Sequence, residues 1–539
     1  GLDVIFQTSY DHYPLFKEAF DKGMIDPKAI DEAVYRVLSM KFELGLFDHP
    51  YLEVPEKDTV TNCRAHRDLC ESMAEESFVL LKNENNTLPF QNIKSVALIG
   101  YDADTVRLGG YSGPGAQKIS ILQGMKERFP ADIQINFSKG IEELITSDFQ
   151  MITSDYFPNG LTTDYFNNSN FEGTPVITRK EAQINGSWTL FSPDQKLLPY
   201  DQYSIRWQGD LSVPESGTYE IGFEGNDGYR LSINGKILID NFNKCSFRTL
   251  TVPYKFEKNK IYKIVVEYYE TAGNARFKMV WNYGIDLKKR EKMIQEAVKT
   301  AQKSDVAVIV AGIHEGEFQD RAFLNLPGDQ EALIQAVAKT GKPVVVLLVG
   351  GSAITMESWK DQVNSILMIW YPGDEGGYAV ADLLMGKVSP SGKLPITFPI
   401  HESQLPLTYN HLPTGRGDDY YNLTGQPLFP FGYGLSYTTF EYSNFHFTKD
   451  TIEAKGSLTV TFTLKNTGKY DGAEVVQLYV KDIIASVAQP VLALKGFQKV
   501  FLKQGESKQI SFEITPQELK ILNAQNQLVV EPGDFRIMI

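Results

Sequence analysis

Apolar positions along this chain follow two rhythms. Over residues 51–145 and again over 285–405, near-continuous apolar runs alternate with stretches of helical spacing. The runs are Ser95-Val-Ala-Leu-Ile-Gly100, Val306 to Ala311, Pro343 to Val349 and Ser365 to Trp370. Between them the spacing predicts helices over Lys288 to Ser304, over Asp329 to Lys339 and through Met385, and one from His66 through Asn83 before a loop from Glu84 to Pro89. Apolar strands alternating with helices predict a mainly parallel sheet covered on both faces. Over 146–284 the rhythm changes to period two with regular turn signals, as in SGTYEIGFEGNDGYRLSINGKILID and KIYKIVVEYYE. It returns in Ser457 to Lys465 and Glu474 to Val480. Each of these regions predicts a β-sandwich, the first inserted into the α/β domain and the second closing the chain over 436–539 after a linker, 406–435.

The first fifty residues fit neither rhythm alone. An extended GLDVIF precedes a helix marked by Asp26 as N-cap, Pro27 at its first position, Ile30, Val34, Val37, Leu38 and Lys41 at helical spacing, and Gly45 as its stop. One strand and one helix cannot bury each other, so the segment predicts a further partner, the rest of a barrel or of a sheet.

Composition bounds the function. At 539 residues with 42% hydrophobic content, the chain predicts three or four globular domains. A net charge of −14 without any basic run excludes nucleic acid and anionic membrane as partners and suits a neutral substrate. No stretch approaches the roughly 18 apolar residues that span a bilayer. Cys63 and Cys70, read on one helix, stand about 10.5 Å apart along it, so with Cys245 they are expected as thiols. No metal-ligand spacing is present, and neither a metal nor a cofactor is expected.

The candidate chemistry lies in Asp305 to Pro327, DVAVIVAGIHEGEFQDRAFLNLP, where a strand gives way to Glu315, Gly316, Glu317, Asp320 and Arg321. Loops at the carboxyl ends of parallel strands hold ligands, which makes Glu315 and Glu317 acid/base candidates. Leu108-Gly-Gly-Tyr-Ser-Gly113 follows another strand, but its spacing matches no phosphate-binding motif and predicts a backbone-shaping turn or part of a sugar-binding rim. Among the aromatic residues of 146–284, Trp188, Tyr203, Trp207, Tyr229, Tyr268, Tyr269 and Trp281 are candidates both for core and for flat faces toward sugar rings. Asn226-Asp227-Gly228, with a single Asp, predicts a turn rather than a calcium site.

Taken in order, AIDEAVYRVLSMKFELGLFDHPY, AEESFVLLKNENNTLP, LGGYSG, the EGEFQDR and LNLPGDQ block, WYPGDEGGYAVADLLMGKVSPSGKLPITFP and PLFPFGYGLSYTTFEYSNF resemble the C-terminal portion of glycoside hydrolase family 3, of the β-glucosidase type. The insert is similar to protective-antigen-type carbohydrate-binding modules, and the tail to a fibronectin type III-like domain. The resemblance implies that residues 1–50 end a (β/α)8 catalytic barrel whose remainder precedes GLDV, in cis or as a second chain.

It also implies a retaining exo-acting β-glycosidase that releases nonreducing-end sugars from β-linked oligosaccharides or glycosides, with a nucleophilic Asp and an acid/base Glu about 5 Å apart. The acid/base position, three residues before the Asp-Arg pair, falls on Glu317, with Glu315 as runner-up. The family's nucleophile sits in a Ser-Asp-Trp motif of the barrel. Here Ser147-Asp148, Ser154-Asp155 and Ser304-Asp305 lack the Trp and fall in other domains. This chain alone is therefore expected to be inactive, and the whole enzyme to be periplasmic or secreted. The competing expectation is a non-catalytic carbohydrate-binding or scaffold protein built from the same parts.

Overall fold

The computed structural model describes the chain except residues 1–2, 6–12, 52–60, 143–148, 189–190, 274, 286, 318 and 415–416. Residues 1–66 and 67–539 form two separate units. In the first, helices Tyr13–Asp21 and Pro27–Glu43 are present. The Asp26 carboxylate caps the second by accepting from the Lys28 N–H at 3.0 Å, and Pro27 sits where its missing donor costs nothing. The helix stops where Gly45 adopts a φ of 67°. Arg36 forks onto Asp3 at 2.9 and 2.6 Å. Neither helix has a buried residue, and Ile30, Val34 and Leu38 are exposed along one side of the second. Of the stretch expected as a barrel strand, Gly1 and Leu2 lie outside the described residues, and Asp3 to Ile5 carry no strand.

The second unit is built around a six-stranded sheet with the order Val79–Asn83, Ser365–Trp370, Val344–Val349, Val306–Gly312, Ser95–Ile99, Gln134–Ser138. All neighbours are parallel except the first pair. Alternate residues of every strand but the edge strand Gln134–Ser138 feed two cores, which is why those strands read as apolar runs. Ala97, Ile99, Ala307, Ile309, Val346 and Leu348 pack with Ala297, Leu333 and Val337 of helices Leu287–Gln302 and Gln330–Ala338. Val96, Leu98, Val308, Val310 and Leu347 pack with Leu122, Met125, Val380 and Leu383 of helices Ile121–Arg128 and Gly376–Leu384.

One element differs from expectation. The helix expected to continue through Asn83 spans Arg64–Ser77, and Val79–Asn83 is an edge strand antiparallel to Ser365–Trp370. Phe78, Val79, Leu80 and Leu81 are all at most 1% exposed, so consecutive residues are buried on both sides, which a helix packed along one face does not achieve. Cys63 accordingly precedes the helix that carries Cys70, and all three cysteines are free.

Between Gln134–Ser138 and Val306–Gly312 come two antiparallel sheets, of six and five strands. They enclose an aromatic core in which Phe277 stacks with Trp207, Phe223 and Tyr268 at centroid distances of 5.8, 4.7 and 4.7 Å. Tyr203, Trp207, Tyr229, Tyr268 and Trp281 are fully buried, which leaves Trp188 and Tyr269 as the half-buried members of the expected aromatic set. Asn226-Asp227-Gly228 is a turn, with Asp227 at a φ of 58°. The C-terminal sandwich has two three-stranded sheets around Phe462, Leu464, Val476, Leu478, Ile510 and Ile514. No helix among the described residues is long and apolar enough to cross a membrane.

Candidate active site

Connections leave the central pair of parallel strands in opposite directions. After Ser95–Ile99 the chain runs outward to Gln134–Ser138, whereas after Val306–Gly312 it runs the other way to Val344–Val349. Their carboxyl ends therefore flank a topological switch point, where the diverging loops leave a crevice. The loops from these two strands carry Leu108 to Gly113 and His314 to Arg321.

Glycine permits the two loops to touch. A Cβ on Gly110 would lie 2.2 Å from the Glu315 carbonyl oxygen and 2.6 Å from the Gly316 Cα. Gly109, at a φ of 94°, lies against the Tyr371 ring. The Gly-rich turn thus shapes backbone contact with the acidic loop, the first of its two expected roles.

The acidic loop is fastened along its length. Arg107, itself forked onto buried Asp102, lies in polar contact with both nitrogens of the His314 ring. Glu315 is half-buried and accepts three bonds, from the Gly351 N–H at 2.5 Å, the Tyr371 hydroxyl at 2.8 Å and the Ser352 hydroxyl. Burial pushes the Glu315 carboxyl up, but the bonds from Ser352, Tyr371 and Gly351 and the nearby Arg321 charge outweigh it and hold the group below its ordinary range. Arg321 donates to the Ser352 hydroxyl and the Ala353 carbonyl, both at 2.9 Å, and so braces the far end of the loop. Burial lowers the Arg321 guanidinium in turn.

Glu317 lies between these anchors and is exposed. Its Oε2 accepts from the Tyr111 hydroxyl at 2.5 Å, a bond that raises the Tyr111 pKa. Glu315 and Glu317, equal candidates by residue type, thus occupy different environments: a saturated carboxylate and an accessible one. Asp320 is also exposed.

The Ser-Asp pairs are elsewhere. Asp305 caps the amino end of the central strand, accepting from the Lys94 and Ser95 N–H groups at 2.8 and 2.9 Å. A seven-residue strand, about 23 Å at 3.3 Å per residue, separates that end from the acidic loop. Ser154-Asp155 belongs to a short 3₁₀ turn between the Gln150–Met151 and Leu161–Phe166 strands of the antiparallel sheets, and Ser147-Asp148 lies outside the described residues. Among the described residues one carboxylate cluster has metal-like proximity, Glu71, Glu75 and Asp382. Arg128 already bonds Glu71 and Asp382, both at 2.9 Å, and burial with those two neighbours pushes Glu75 up to about 7. Sequence reading missed Tyr111, Ser352 and Tyr371 as members of the site. Tyr111 and Tyr371 lay inside quoted motifs, but only the loops' convergence gives them a role.

Residues 78–437 match the glycosyl hydrolase family 3 C-terminal domain, and residues 474–539 match a fibronectin type III-like domain. The chain is 30% identical over 562 residues to a periplasmic β-glucosidase of Salmonella typhimurium, covering 100% of this chain and 57% of that protein. It is 30% identical over 544 residues to a β-xylosidase of Formosa agariphila, covering 98% and 56%. The chain therefore spans a little over half the length of these relatives. Among solved structures it resembles a β-glucosidase from Kluyveromyces marxianus in complex with glucose, at a TM-score of 0.62 and 25% identity, covering 100% of this chain and 68% of that one. A β-glucosidase from Erythrobacter marinus matches at a TM-score of 0.65 and 27% identity, covering 98% and 55%. With a family match that spans the whole sheet and the acidic loop at its switch point, the chain belongs to glycosyl hydrolase family 3.

Proposed function

We propose that this chain is the acid/base half of a retaining β-glycosidase acting at the nonreducing end of β-linked glucosides or xylosides, and that Glu317 is its acid/base residue. The observation that carries the reading is the contrast within the acidic loop. A general acid must give up a proton to the leaving oxygen and then take one from water, so it needs an accessible carboxyl that changes state readily. Glu317 is exposed and, among the described residues, bonded by the Tyr111 hydroxyl alone, whereas three donors favour the ionised form of Glu315.

In the proposed reaction the nucleophilic Asp comes from a barrel that accounts for the additional length of the relatives, in cis or as a second chain. Attack on the anomeric carbon forms a glycosyl-enzyme as Glu317 protonates the departing oxygen. Glu317 then removes a proton from the water that releases the sugar, so the anomeric configuration is retained. Tyr111 orients the Glu317 carboxylate between these steps. The antiparallel sheets of residues 150–281 are proposed as a carbohydrate-binding module of the protective-antigen type, and the periplasm or exterior as the compartment, in keeping with the periplasmic β-glucosidase of Salmonella typhimurium.

The test is hydrolysis of a nitrophenyl β-glucoside and a nitrophenyl β-xyloside by a polypeptide in which the barrel precedes this chain. Glu317→Ala is expected to lower turnover by roughly 10²- to 10⁴-fold, the usual contribution of a positioned acid/base. Unchanged turnover would refute the assignment of Glu317, and no hydrolysis by the wild type would favour a binding or scaffold role.

A further inference from the structure

We propose that Glu315 is the positioning residue of this site, a clamp whose ionised carboxylate fastens the loop carrying Glu317 to the two neighbouring strand ends. The inference rests on the reading of Glu317 as acid/base, which it extends by giving the second acidic residue a different task. An ionised carboxylate only accepts, and all three groups around Glu315 donate. Gly351 and Tyr371 share Oε2, and Ser352 takes Oε1. With the Gly351 N–H an obligate donor and the Ser352 and Tyr371 hydroxyls free to donate, the arrangement favours the charged form.

The donors come from different elements. Gly351 and Ser352 follow the Val344–Val349 strand, and Tyr371 follows Ser365–Trp370. Glu315 therefore ties its own loop to both. Ser352 extends the tie, since its hydroxyl donates to Glu315 while accepting from Arg321 at 2.9 Å. The chain from 316 to 320 is thus held at both ends, at Glu315 and Arg321, through one serine. Glu317 projects from this short closed span. A misplacement of about 1 Å in a reacting group can cost about 10²-fold in rate, so the clamp sets where the catalytic carboxyl can reach.

Two readouts separate this proposal from the reading beneath it. The first uses the chain alone and follows trypsin cleavage after Arg321. Glu315→Gln keeps one acceptor oxygen but sets an amide NH2 where the other accepted, against Ser352 or against Gly351 and Tyr371, and is expected to speed cleavage there about tenfold or more, because the loop opens locally. Ser352→Ala, which removes the shared serine, is expected to give a smaller increase, and Glu317→Ala none. Equal cleavage rates in wild type and in both clamp variants would overturn the proposal. The second readout uses the polypeptide that carries the barrel. Because the clamp acts through Glu317, Glu315→Gln should lower kcat more for an alkyl than for a dinitrophenyl β-glucoside, with no recovery in azide since the Glu317 carboxylate is still present. Selective loss on the alkyl substrate with recovery in azide would make Glu315 the acid/base residue and overturn the clamp. A failure of Glu317→Ala to affect either substrate would sink the acid/base reading, while the cleavage assay would still decide the clamp.

Discussion

At one end of the antiparallel sheets two carboxyl groups share a buried site. Asp227 and Glu270 are each 1% exposed. The Thr271 hydroxyl donates to Asp227 Oδ1 at 2.9 Å and the Tyr268 hydroxyl to Glu270 Oε2 at 3.0 Å, while the Tyr203 hydroxyl has no hydrogen-bond partner among the described residues. Burial, and then the hydrogen bond and charge of Asp227, hold Glu270 far above the ordinary carboxylate range, so it stays protonated at neutral pH. The unfolded chain ionises near pH 4.3. A raised folded pKa contributes stability that is complete below the unfolded value and is lost as pH rises toward the folded one. The slope is about 1.36 kcal/mol per pH unit, or about 4 kcal/mol between pH 5 and pH 8. For a region of this size that corresponds to a fall in Tm on the order of 10 °C. Glu270→Gln keeps a donor for Asp227 and has no proton to lose. Tryptophan fluorescence is the assay, since Trp188, Trp207 and Trp281 are three of the chain's five tryptophans. The wild-type midpoint should fall from pH 5 to pH 8 by an amount of that order, and the Glu270→Gln midpoint should change far less. Equal pH dependence in the two proteins would refute the reasoning.

Other expectations follow from the same geometry. Gly110→Ala forces a Cβ against the Glu315 carbonyl and should cost about 1–3 kcal/mol, seen as faster amide exchange over 313–317. Arg128→Ala leaves Glu71, Glu75 and Asp382 without the guanidinium that pairs two of them. With Glu75 raised to about 7, protonation relieves the repulsion at low pH, so the loss of stability should be greater at pH 8 than at pH 5 in denaturant titrations. Asp26→Ala should weaken the Pro27–Glu43 helix by about 1 kcal/mol, read by circular dichroism of residues 13–51 as a peptide.

Much of this architecture is legible in apolar rhythm because parallel strands buried on both faces must be apolar throughout, as in Val344–Val349, where every residue is buried. The edge strand Val79–Asn83 is not, since its short apolar run follows a helix without a break residue and its partner, Ser365–Trp370, lies nearly three hundred residues away. The acidic loop is found by its change of residue type, but residue type does not separate Glu315 from Glu317, and only the family resemblance favours Glu317 there. Their difference arises from Gly351, Ser352 and Tyr371, which reach Glu315 only after the strands have paired. Tyr111 is hidden for the same reason, because a tyrosine between glycines carries no sign of the carboxylate it will meet.

The most direct test of the central claim is the dependence of Glu317→Ala on leaving group, in the polypeptide that carries the barrel. A dinitrophenyl β-glucoside needs little protonation to depart, whereas an alkyl β-glucoside depends on it. The account predicts formation of the glycosyl-enzyme at close to the wild-type rate with the first, loss of roughly 10²-fold or more with the second, and recovery of overall turnover by azide with a β-glycosyl azide as product. Equal losses on both substrates with no azide product would contradict it and remove Glu317 from the chemistry.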